Sequence, residues 1–367
     1  MLFLSLTITV LLISSHCSNL TISLSPVGGE IFLTPEGDKS VCCSSSRIPL
    51  RSKSIQRSSK DYGTPQRTAA AVDDEDDDYD DDDDDKKIDH IKILIRYKHT
   101  QRRLPQCLIV GARKAGTRAL LEFLNLHPSI QAYKQEMHFF DDDRNYSMGL
   151  DWYRHQMPYS FADQITIEKT PAYFVAERVP ARVQAMNSSI KLLLIVRDPV
   201  ERAVSDFMQL NTARIQRGMY HEASRHFEEL AINWKTGEVN ESYRAIRRSV
   251  YHRYLSRWLR HFTIDQFHIV NGEQLVDQPV DELRKIEEFL GIEHRLNDGL
   301  FYFNSTRGFY CMHVDKVERC LASSKGRQHP NLNGTVVDKL RRYFRPHNYK
   351  LYAMVGIDFG WSNGSDD

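Results

Sequence analysis

The chain has 367 residues, and its 49 Lys and Arg balance 49 Asp and Glu, which gives a formal net charge of zero. This length accommodates one large domain with extensions, or two small domains. The balance hides an asymmetry: residues 1–85 contain 7 Lys and Arg against 16 Asp and Glu, which leaves 42 basic and 33 acidic residues, a net charge of +9, for residues 86–367. The basic part suits an anionic partner, and charge alone does not separate a nucleic acid from an acidic polysaccharide.

The first thirteen residues are almost wholly apolar, and small and polar residues follow them. This apolar run is shorter than the roughly 18–20 residues that span a bilayer, so we predict a secretory signal peptide over residues 1–18, with a short membrane anchor as the alternative. Both interpretations send the rest of the chain to a lumen. Seven N-x-[ST] sequons fit secretion. They begin at Asn19, Asn145, Asn187, Asn240, Asn304, Asn333 and Asn363.

Residues 19–103 are predicted to form a stem without a core of its own. They mix Ser, Pro, Gly and charged residues, and the block from Asp73 to Asp85 contains 12 acidic residues interrupted only by Tyr79. Such a composition is too polar to build a hydrophobic core. We interpret the acidic block as a solvated spacer. The alternatives are that it competes with an anionic substrate for a basic cleft, or that Tyr79 is sulfated.

A buried strand, a glycine loop and a helix follow one another over residues 108–127. This order directs backbone N–H groups and the positive end of a helix at one spot, which predicts a phosphate site. Gly111 and Gly116 have the spacing of an ATP-binding P-loop. However, Thr117 follows Gly116 where that motif has lysine, and the lysine of this loop comes earlier, at Lys114. The departure argues against an ordinary ATPase.

Strand and helix patterns alternate from Leu104 onward. The continuous apolar run Lys191–Arg197 predicts a buried strand, and Tyr243–Phe262 predicts one long helix. The order predicts a P-loop-like α/β fold in three layers, with a central, mainly parallel sheet flanked by helices and ligands at the carboxyl ends of the strands. We expect one such domain over residues 104–367. The other predicted elements are strands at 108–111, 165–169 and 267–270, a short segment without an assigned conformation at 129–134, and helices at 149–157, 180–186, from 199, and at 279–290.

The chain has six cysteines. Cys311 and Cys320 close a short loop and could pair in an oxidising compartment. Cys107 lies on the first predicted strand of the domain, which favours a buried free thiol. No partner is assigned to the three cysteines of residues 17–43, and no Cys/His spacing indicates a zinc site, so no metal is expected.

Six motifs follow one another between residues 111 and 330: GARKAGTRALLEFLNLHP, EMHFFD, EKTPAYF, LLLIVRDPVERAVSDFMQ, GFYC and KGRQHP. Together they resemble the sulfotransferase domain of heparan sulfate glucosamine 3-O-sulfotransferases, over about residues 104–361. Six ordered motifs are far more specific than any one of them. The resemblance implies 3′-phosphoadenosine 5′-phosphosulfate (PAPS) as sulfate donor and heparan sulfate as the polysaccharide partner.

The resemblance also implies two cationic sites for PAPS, which has phosphate at both ends of its ribose. The glycine loop would hold the 5′-phosphosulfate, with Ala115 where many relatives have glycine. Arg197 would grip the 3′-phosphate with two parallel N–H···O bonds; the alternative for Arg197 is a salt bridge to Asp198 or Glu201. The implied cofactor residues are Lys114, Ala115, Gly116, Thr117, Arg118, Arg197, Ser205, Tyr310, Lys325, Gly326, Arg327, Gln328 and His329.

Glu136 is the predicted catalytic base. A sugar hydroxyl is a very weak acid, so a carboxylate must accept its proton as the new O–S bond forms. His138 lies on the same side as Glu136 if the segment is extended, and with Asp141 it would orient the base or the acceptor hydroxyl. Lys114 and Lys169 would stabilise the charge that develops on the leaving phosphate and the sulfuryl oxygens. The alternative is a surface glutamate beside a structural histidine.

The acceptor cleft is expected to be lined by residues of several motifs. These are Arg118, Glu136, His138, Asp141, Lys169, Thr170, Pro171, Ala172 and Gln209.

The resemblance thus implies an enzyme of the Golgi lumen that sulfates the 3-hydroxyl of glucosamine units in heparan sulfate. The complete EMHFFD and KTPAYF strings favour the 3-hydroxyl over the N- or 6-O-position, which is the closest alternative. A different class of alternative is a non-catalytic heparan sulfate-binding protein. No nucleic acid partner is expected, and a membrane contact only if the N-terminal segment stays uncleaved.

Overall fold

The computed structural model describes residues 8–10, 20–24, 31–35, 100–314, 317–322 and 329–362. The acidic block and the predicted cofactor residues Lys325, Gly326, Arg327 and Gln328 lie outside the described residues. Taken by itself, the unit of residues 1–78 contains three short antiparallel strands, β1 (Ile8–Val10), β2 (Leu20–Leu24) and β3 (Ile31–Pro35). Within the part of the chain that the structure describes, no helix has both the length and the apolar character needed to cross a membrane.

The second unit, residues 79–367, contains the remaining strands and all the α-helices of the described residues, together with three short 3₁₀ helices at Pro171–Phe174, Ile264–Gln266 and Asp298–Leu300. The strands are β4 (Gln101–Arg102), β5 (Cys107–Gly111), β6 (Ile130–Ala132), β7 (Tyr159–Ser160), β8 (Ile165–Lys169), β9 (Lys191–Val196), β10 (Phe267–Asn271), β11 (Phe301–Asn304), β12 (Phe309–Val314) and β13 (Val317–Arg319). The helices are α1 (Thr117–Leu124), α2 (Asp143–Ser147), α3 (Gly149–Gln156), α4 (Val179–Met186), α5 (Pro199–Gln216), α6 (Tyr220–Ala223), α7 (Phe227–Ala231), α8 (Arg244–Arg248), α9 (Tyr251–Trp258), α10 (Gly272–Asp277), α11 (Pro279–Leu290) and α12 (Gly334–Val355).

A five-stranded parallel sheet forms the centre of this unit, in the order β10-β9-β5-β8-β6. Ile109 of the central strand β5 lies opposite Leu193 of β9 and Lys169 of β8, so the carboxyl ends of these three strands are side by side. Helices flank the sheet, and residues 192–196 of β9 have no exposed surface because neighbours cover both faces. The predicted α/β fold with a central parallel sheet is confirmed.

Two short antiparallel sheets accompany the main sheet. Strand β4 pairs with β7, and β11, β12 and β13 form a three-stranded sheet. A disulfide joins Cys311 of β12 to Cys320, the residue after β13, as predicted. Cys107 is a buried free thiol, also as predicted, and burial raises its pKa well above the ordinary value.

The prediction of one long helix over Tyr243–Phe262 is wrong, because this segment forms two helices, α8 and α9. Buried Arg202 of α5 donates from Nη2 to the carbonyl oxygen of Ala245 and from Nε to the hydroxyl of Ser249, at 2.7 Å. The Ala245 carbonyl is the one that the Ser249 N–H would use in a continuous helix. Ser249 and Val250 instead donate to carbonyls three residues back, and the helix ends there.

Candidate functional site

The glycine loop between β5 and α1 has the backbone geometry of an anion site. Gly116 has a φ of 111°, in the region that favours glycine, and Lys114 has a φ of 69°. Helix α1 begins directly after Gly116 with no side-chain cap and no acidic residue in its first turn, as judged from the described residues. The first N–H groups of the helix and its positive dipole end therefore face a position where an anion is favoured.

The loop is fixed by close backbone contacts. A Cβ atom at Gly272, the first residue of α10, would lie 2.7 Å from the carbonyl oxygen of Val196 and 2.8 Å from that of Ala115. Only glycine permits this approach. Ala115 itself lies in the hydrophobic core and is 3% exposed, so its methyl group is accommodated on the inner side of the loop.

A buried ion-pair network, not foreseen from the sequence, supports the loop from helix α5. Asp206 accepts a hydrogen bond from Arg113 Nε at 3.1 Å and from Arg202 Nη1 at 3.1 Å, and Arg202 Nη1 also lies 3.2 Å from the Arg113 carbonyl oxygen. Burial alone would raise the pKa of Asp206, but the two guanidinium groups hold it at about 2. The carboxylate therefore stays charged and ties the loop to α5.

Arg197 lies where β9 ends, at the carboxyl edge of the sheet. Its Nη2 is 3.5 Å from Glu201 Oε2, so the salt bridge considered as its alternative role is present. The same Glu201 oxygen is 2.7 Å from His329 Nδ1, and the bond to His329 lowers the pKa of Glu201. Glu201 thereby brings Arg197 and His329 to one place. Tyr251 Oη donates to the Arg197 carbonyl oxygen at 2.7 Å and fixes the backbone there.

Four predicted catalytic side chains meet at the carboxyl end of β8. Glu136 Oε1 accepts a hydrogen bond from Lys169 Nζ, and Glu136 Oε2 is 3.7 Å from His138 Nε2. His138 Nδ1 is 2.9 Å from Asp141 Oδ2. The hydrogen bond to Asp141 is the main reason that the pKa of His138 is raised, and the charges of Asp141 and Glu136 add to it against the effect of burial. Lys169 is almost completely buried, whereas the Glu136 side chain is 27% exposed.

The segment that carries Glu136 is not extended throughout, although an extended segment was the condition for placing Glu136 and His138 on one side. His138 has a φ of 48°, in the left-handed region. The N–H groups of Met137 and His138 both donate to Thr170 Oγ1, at 3.0 and 3.4 Å. Adjacent N–H groups alternate sides in a strand, so this shared acceptor shows that the backbone also departs from a strand at Met137. The turn still leaves Glu136 and His138 side by side.

The remaining predicted residues are placed around these two groups. Arg118 pairs with Glu122 at 3.0 Å and donates to the Lys134 carbonyl oxygen at 2.9 Å. Tyr310 on β12 packs against Phe303, with ring centroids 5.5 Å apart. Thr170 and Pro171 are buried, so the Thr170 hydroxyl bonds within the protein. Ala172, Ser205 and Gln209 are half-buried, and Ser205 and Gln209 lie on α5.

Three further residues around the Glu136 segment were missed. Glu168 Oε2 accepts from Tyr153 Oη at 3.1 Å, and Glu168 Oε1 accepts from the Thr170 hydroxyl. Asn145 Nδ2 donates to the carbonyl oxygens of Met137 and His138, both at 3.2 Å. The one signal for Glu168 in the sequence is an ionisable residue inside a predicted buried strand, while Asn145 is marked only as a sequon.

Comparison with known proteins identifies the class of this protein. The family model of the sulfotransferase domain matches residues 104–354, so the chain is a sulfotransferase. A solved sulfotransferase from Alicyclobacillus acidocaldarius supports the fold, with a TM-score of 0.51 at 20% identity over 71% of this chain and 99% of that chain.

Curated relatives identify the family within the sulfotransferases. Heparan sulfate glucosamine 3-O-sulfotransferase 5 of Mus musculus is 49% identical over 259 residues, which are 70% of this chain and 74% of the relative. Heparan sulfate glucosamine 3-O-sulfotransferase 3B1 of Homo sapiens is 45% identical over 266 residues, which are 71% of this chain and 65% of the relative. The chain belongs to the family of heparan sulfate glucosamine 3-O-sulfotransferases.

Proposed function

We propose that this chain transfers sulfate from PAPS to the 3-hydroxyl of glucosamine units in heparan sulfate, with Glu136 as the general base. The observation that supports this most directly is the position of the Glu136 carboxylate. It is held by Lys169 and faces His138 at the carboxyl edge of the sheet, the edge at which the glycine loop and Arg197 also lie.

The residues present fit the donor. The uncapped N-terminus of α1 and Lys114 would hold the 5′-phosphosulfate, and Arg197, with Ser205 on the following helix, would hold the 3′-phosphate. Glu201 and His329 are already bonded beside Arg197, which adds a histidine to the same end of the site. PAPS supplies an electrophilic sulfur and a phosphate leaving group. Residues of this chain bind the donor, accept the proton and stabilise the developing charge.

The acceptor hydroxyl is too weak an acid to ionise before attack, so the Glu136 carboxylate takes its proton as the O–S bond forms. Lys169 orients this carboxylate through its hydrogen bond to Oε1. With Lys114, Lys169 supplies fixed positive charge for the oxygens on which negative charge develops. No covalent enzyme intermediate is needed.

His138 and Asp141 complete the base. Asp141 accepts from Nδ1 of His138, which leaves Nε2 directed at Glu136 and favours the imidazolium through the raised pKa. Turnover is then supported below the raised pKa of His138 and falls as the pH rises through it. Asp141 Oδ1 is buried and has no hydrogen-bond partner among the described residues, so Asp141 acts on His138 through Oδ2.

Heparan sulfate as partner and the lumen of the secretory pathway, in the Golgi, belong to the same proposal. The disulfide between Cys311 and Cys320 supports an oxidising compartment. The net charge of +9 over residues 86–367 supports an acidic polysaccharide as partner.

Incubation of the purified protein with radiolabelled PAPS and a panel of defined heparan oligosaccharides tests the proposal. The expected product carries the label on the 3-oxygen of glucosamine, as located by disaccharide analysis. Label on nitrogen or on the 6-oxygen contradicts the assigned position. Oligosaccharide binding that is independent of PAPS and gives no labelled product contradicts the assignment of an enzyme.

Asn145→Asp is expected to lower kcat by roughly tenfold, equivalent to about 1.4 kcal/mol. Both amide hydrogens of Asn145 bond to carbonyl oxygens of the Glu136 segment, and a carboxylate would repel those oxygens. Ser147→Ala is the matched control, because it removes the sequon while it keeps the amide. Steady-state kinetics of both variants check the prediction. An equal loss in Ser147→Ala would attribute the effect to a glycan and not to the amide.

A further inference from the structure

Glu168 is a buried acid that the proposed mechanism does not use. It lies next to Lys169 on β8, opposite Leu108 of the central strand, and none of its surface is exposed. Burial raises its pKa to about 7, although hydrogen bonds from Thr170 and Tyr153 oppose the rise. Because the desolvation of a carboxyl group is costly, its complete burial calls for a structural or functional explanation.

The Thr170 hydroxyl connects this acid to the Glu136 segment. A hydroxyl has one hydrogen and two lone pairs. The lone pairs of Thr170 Oγ1 receive the N–H groups of Met137 and His138, so its hydrogen must point elsewhere, and it points to Glu168 Oε1. Glu168 Oε1 is therefore an acceptor, and its presence decides which way the Thr170 hydroxyl faces.

We propose that Glu168 and Thr170 form a positioning pair for the catalytic base, an inference that rests on the proposed function of Glu136. Adjacent residues of a strand point to opposite faces. Lys169 therefore reaches Glu136 directly, while Glu168 acts through Thr170 on the two residues that follow Glu136. The two N–H groups belong to the peptide planes on either side of Met137, so this shared acceptor fixes the backbone between Glu136 and His138. Without it, Glu136 and His138 lose their fixed separation.

Glu168 also influences the protonation of His138. The charge of Glu168 contributes to the raised pKa of His138, after the larger effects of Asp141 and Glu136. The other titratable groups that face Glu168 are Lys169 on its own strand, Tyr133 after β6, Tyr153 on α3 and Tyr173 in the turn after Thr170. Neutralising Glu168 while keeping its shape is thus expected to move the alkaline limb of kcat to lower pH.

Three variants test the pair by kcat, KM and pH profile. Thr170→Val has nearly the same shape but no oxygen, and we expect kcat to fall by about 10²-fold, the effect of a misplaced catalytic group, with unchanged affinity for 3′-phosphoadenosine 5′-phosphate. Thr170→Ser restores the hydroxyl and should recover most of that loss. Glu168→Gln can still accept from Thr170 and donate to Tyr153, so kcat near its optimum is largely kept while the alkaline limb moves to lower pH.

Wild-type kcat and KM in Thr170→Val would overturn the proposal. If that variant does not bind the nucleotide and is therefore misfolded, Glu168→Gln decides: an alkaline limb that coincides with that of the unchanged protein also overturns it. Glu136→Gln, measured in parallel, distinguishes a failure of the proposed base from a failure of the positioning pair. Full turnover in Glu136→Gln refutes the proposed base, whereas its loss together with an unaffected Thr170→Val refutes the positioning pair alone.

Discussion

Replacing Glu136 with glutamine is expected to lower kcat by about 10²- to 10⁴-fold, the range that general-base catalysis contributes, with donor affinity nearly unchanged. The amide has the shape of the carboxylate and still offers an oxygen to Lys169, but it cannot take the proton of the acceptor hydroxyl. Steady-state turnover of a defined heparan oligosaccharide measures the loss. Titration with 3′-phosphoadenosine 5′-phosphate measures donor-site affinity independently of chemistry.

A matched control exists on helix α11. Glu288 lies 3.8 Å from His294 Nε2, much as Glu136 lies beside His138, but it is 70% exposed and distant in sequence from every residue assigned to the site. Glu288→Gln should leave turnover unchanged. A Glu136→Gln variant with turnover like that of the control would show that another group accepts the proton.

The central sheet could be predicted because its strands are buried on both faces. A strand such as β9 then appears as an unbroken apolar run, and β8 and the start of α5 were predicted with the bounds that the structure shows. The helix break near Ser249 could not be predicted. It depends on a hydrogen bond from Arg202, a residue more than forty positions away whose partner the local pattern does not reveal.

Helix α12 was also missed, for a local reason. Pro346 lies inside this helix of 22 residues, and an interior proline normally predicts that a helix ends before it. Pro346 is exposed, so the carbonyl that loses its N–H partner can be hydrated. The packing of Leu340, Phe344 and Leu351 into the cores stabilises the helix on both sides of the proline.

The residues of the site also fall into those that the sequence could predict and those that it could not. Parallel strands bring their carboxyl ends to one edge, so motifs at the ends of the strands were expected to meet. Glu136, His138 and Asp141, which follow β6, do meet Lys169 at the end of β8. Glu168 and Asn145 were missed because their contribution depends on which backbone N–H and carbonyl groups face them. That information exists only once the left-handed turn at His138 is known.

Replacing Arg197 with alanine is expected to weaken donor binding by roughly 1.5–3 kcal/mol, which is about a 10- to 150-fold higher Kd for 3′-phosphoadenosine 5′-phosphate. Arg197 directly follows β9 at the carboxyl edge of the sheet. Its guanidinium group offers two parallel N–H donors to a phosphate. Arg197→Lys keeps the charge but loses the paired donors, so an intermediate Kd is expected. Turnover at saturating PAPS should fall much less than in Glu136→Gln, because the base is untouched.

The control for Arg197 must separate phosphate binding from the loss of a surface ion pair. Arg197 already lies 3.5 Å from Glu201, and its removal alone would cost little, since exposed pairs contribute about 0–1 kcal/mol. Arg284 on α11 is similar, half exposed and 4.0 Å from Asp281 one turn away. Arg284→Ala should therefore leave the Kd unchanged. An equal change of Kd in both variants would assign the effect to surface charge, and a loss of kcat in Arg197→Ala equal to that in Glu136→Gln would refute the division between a binding cation and a catalytic base.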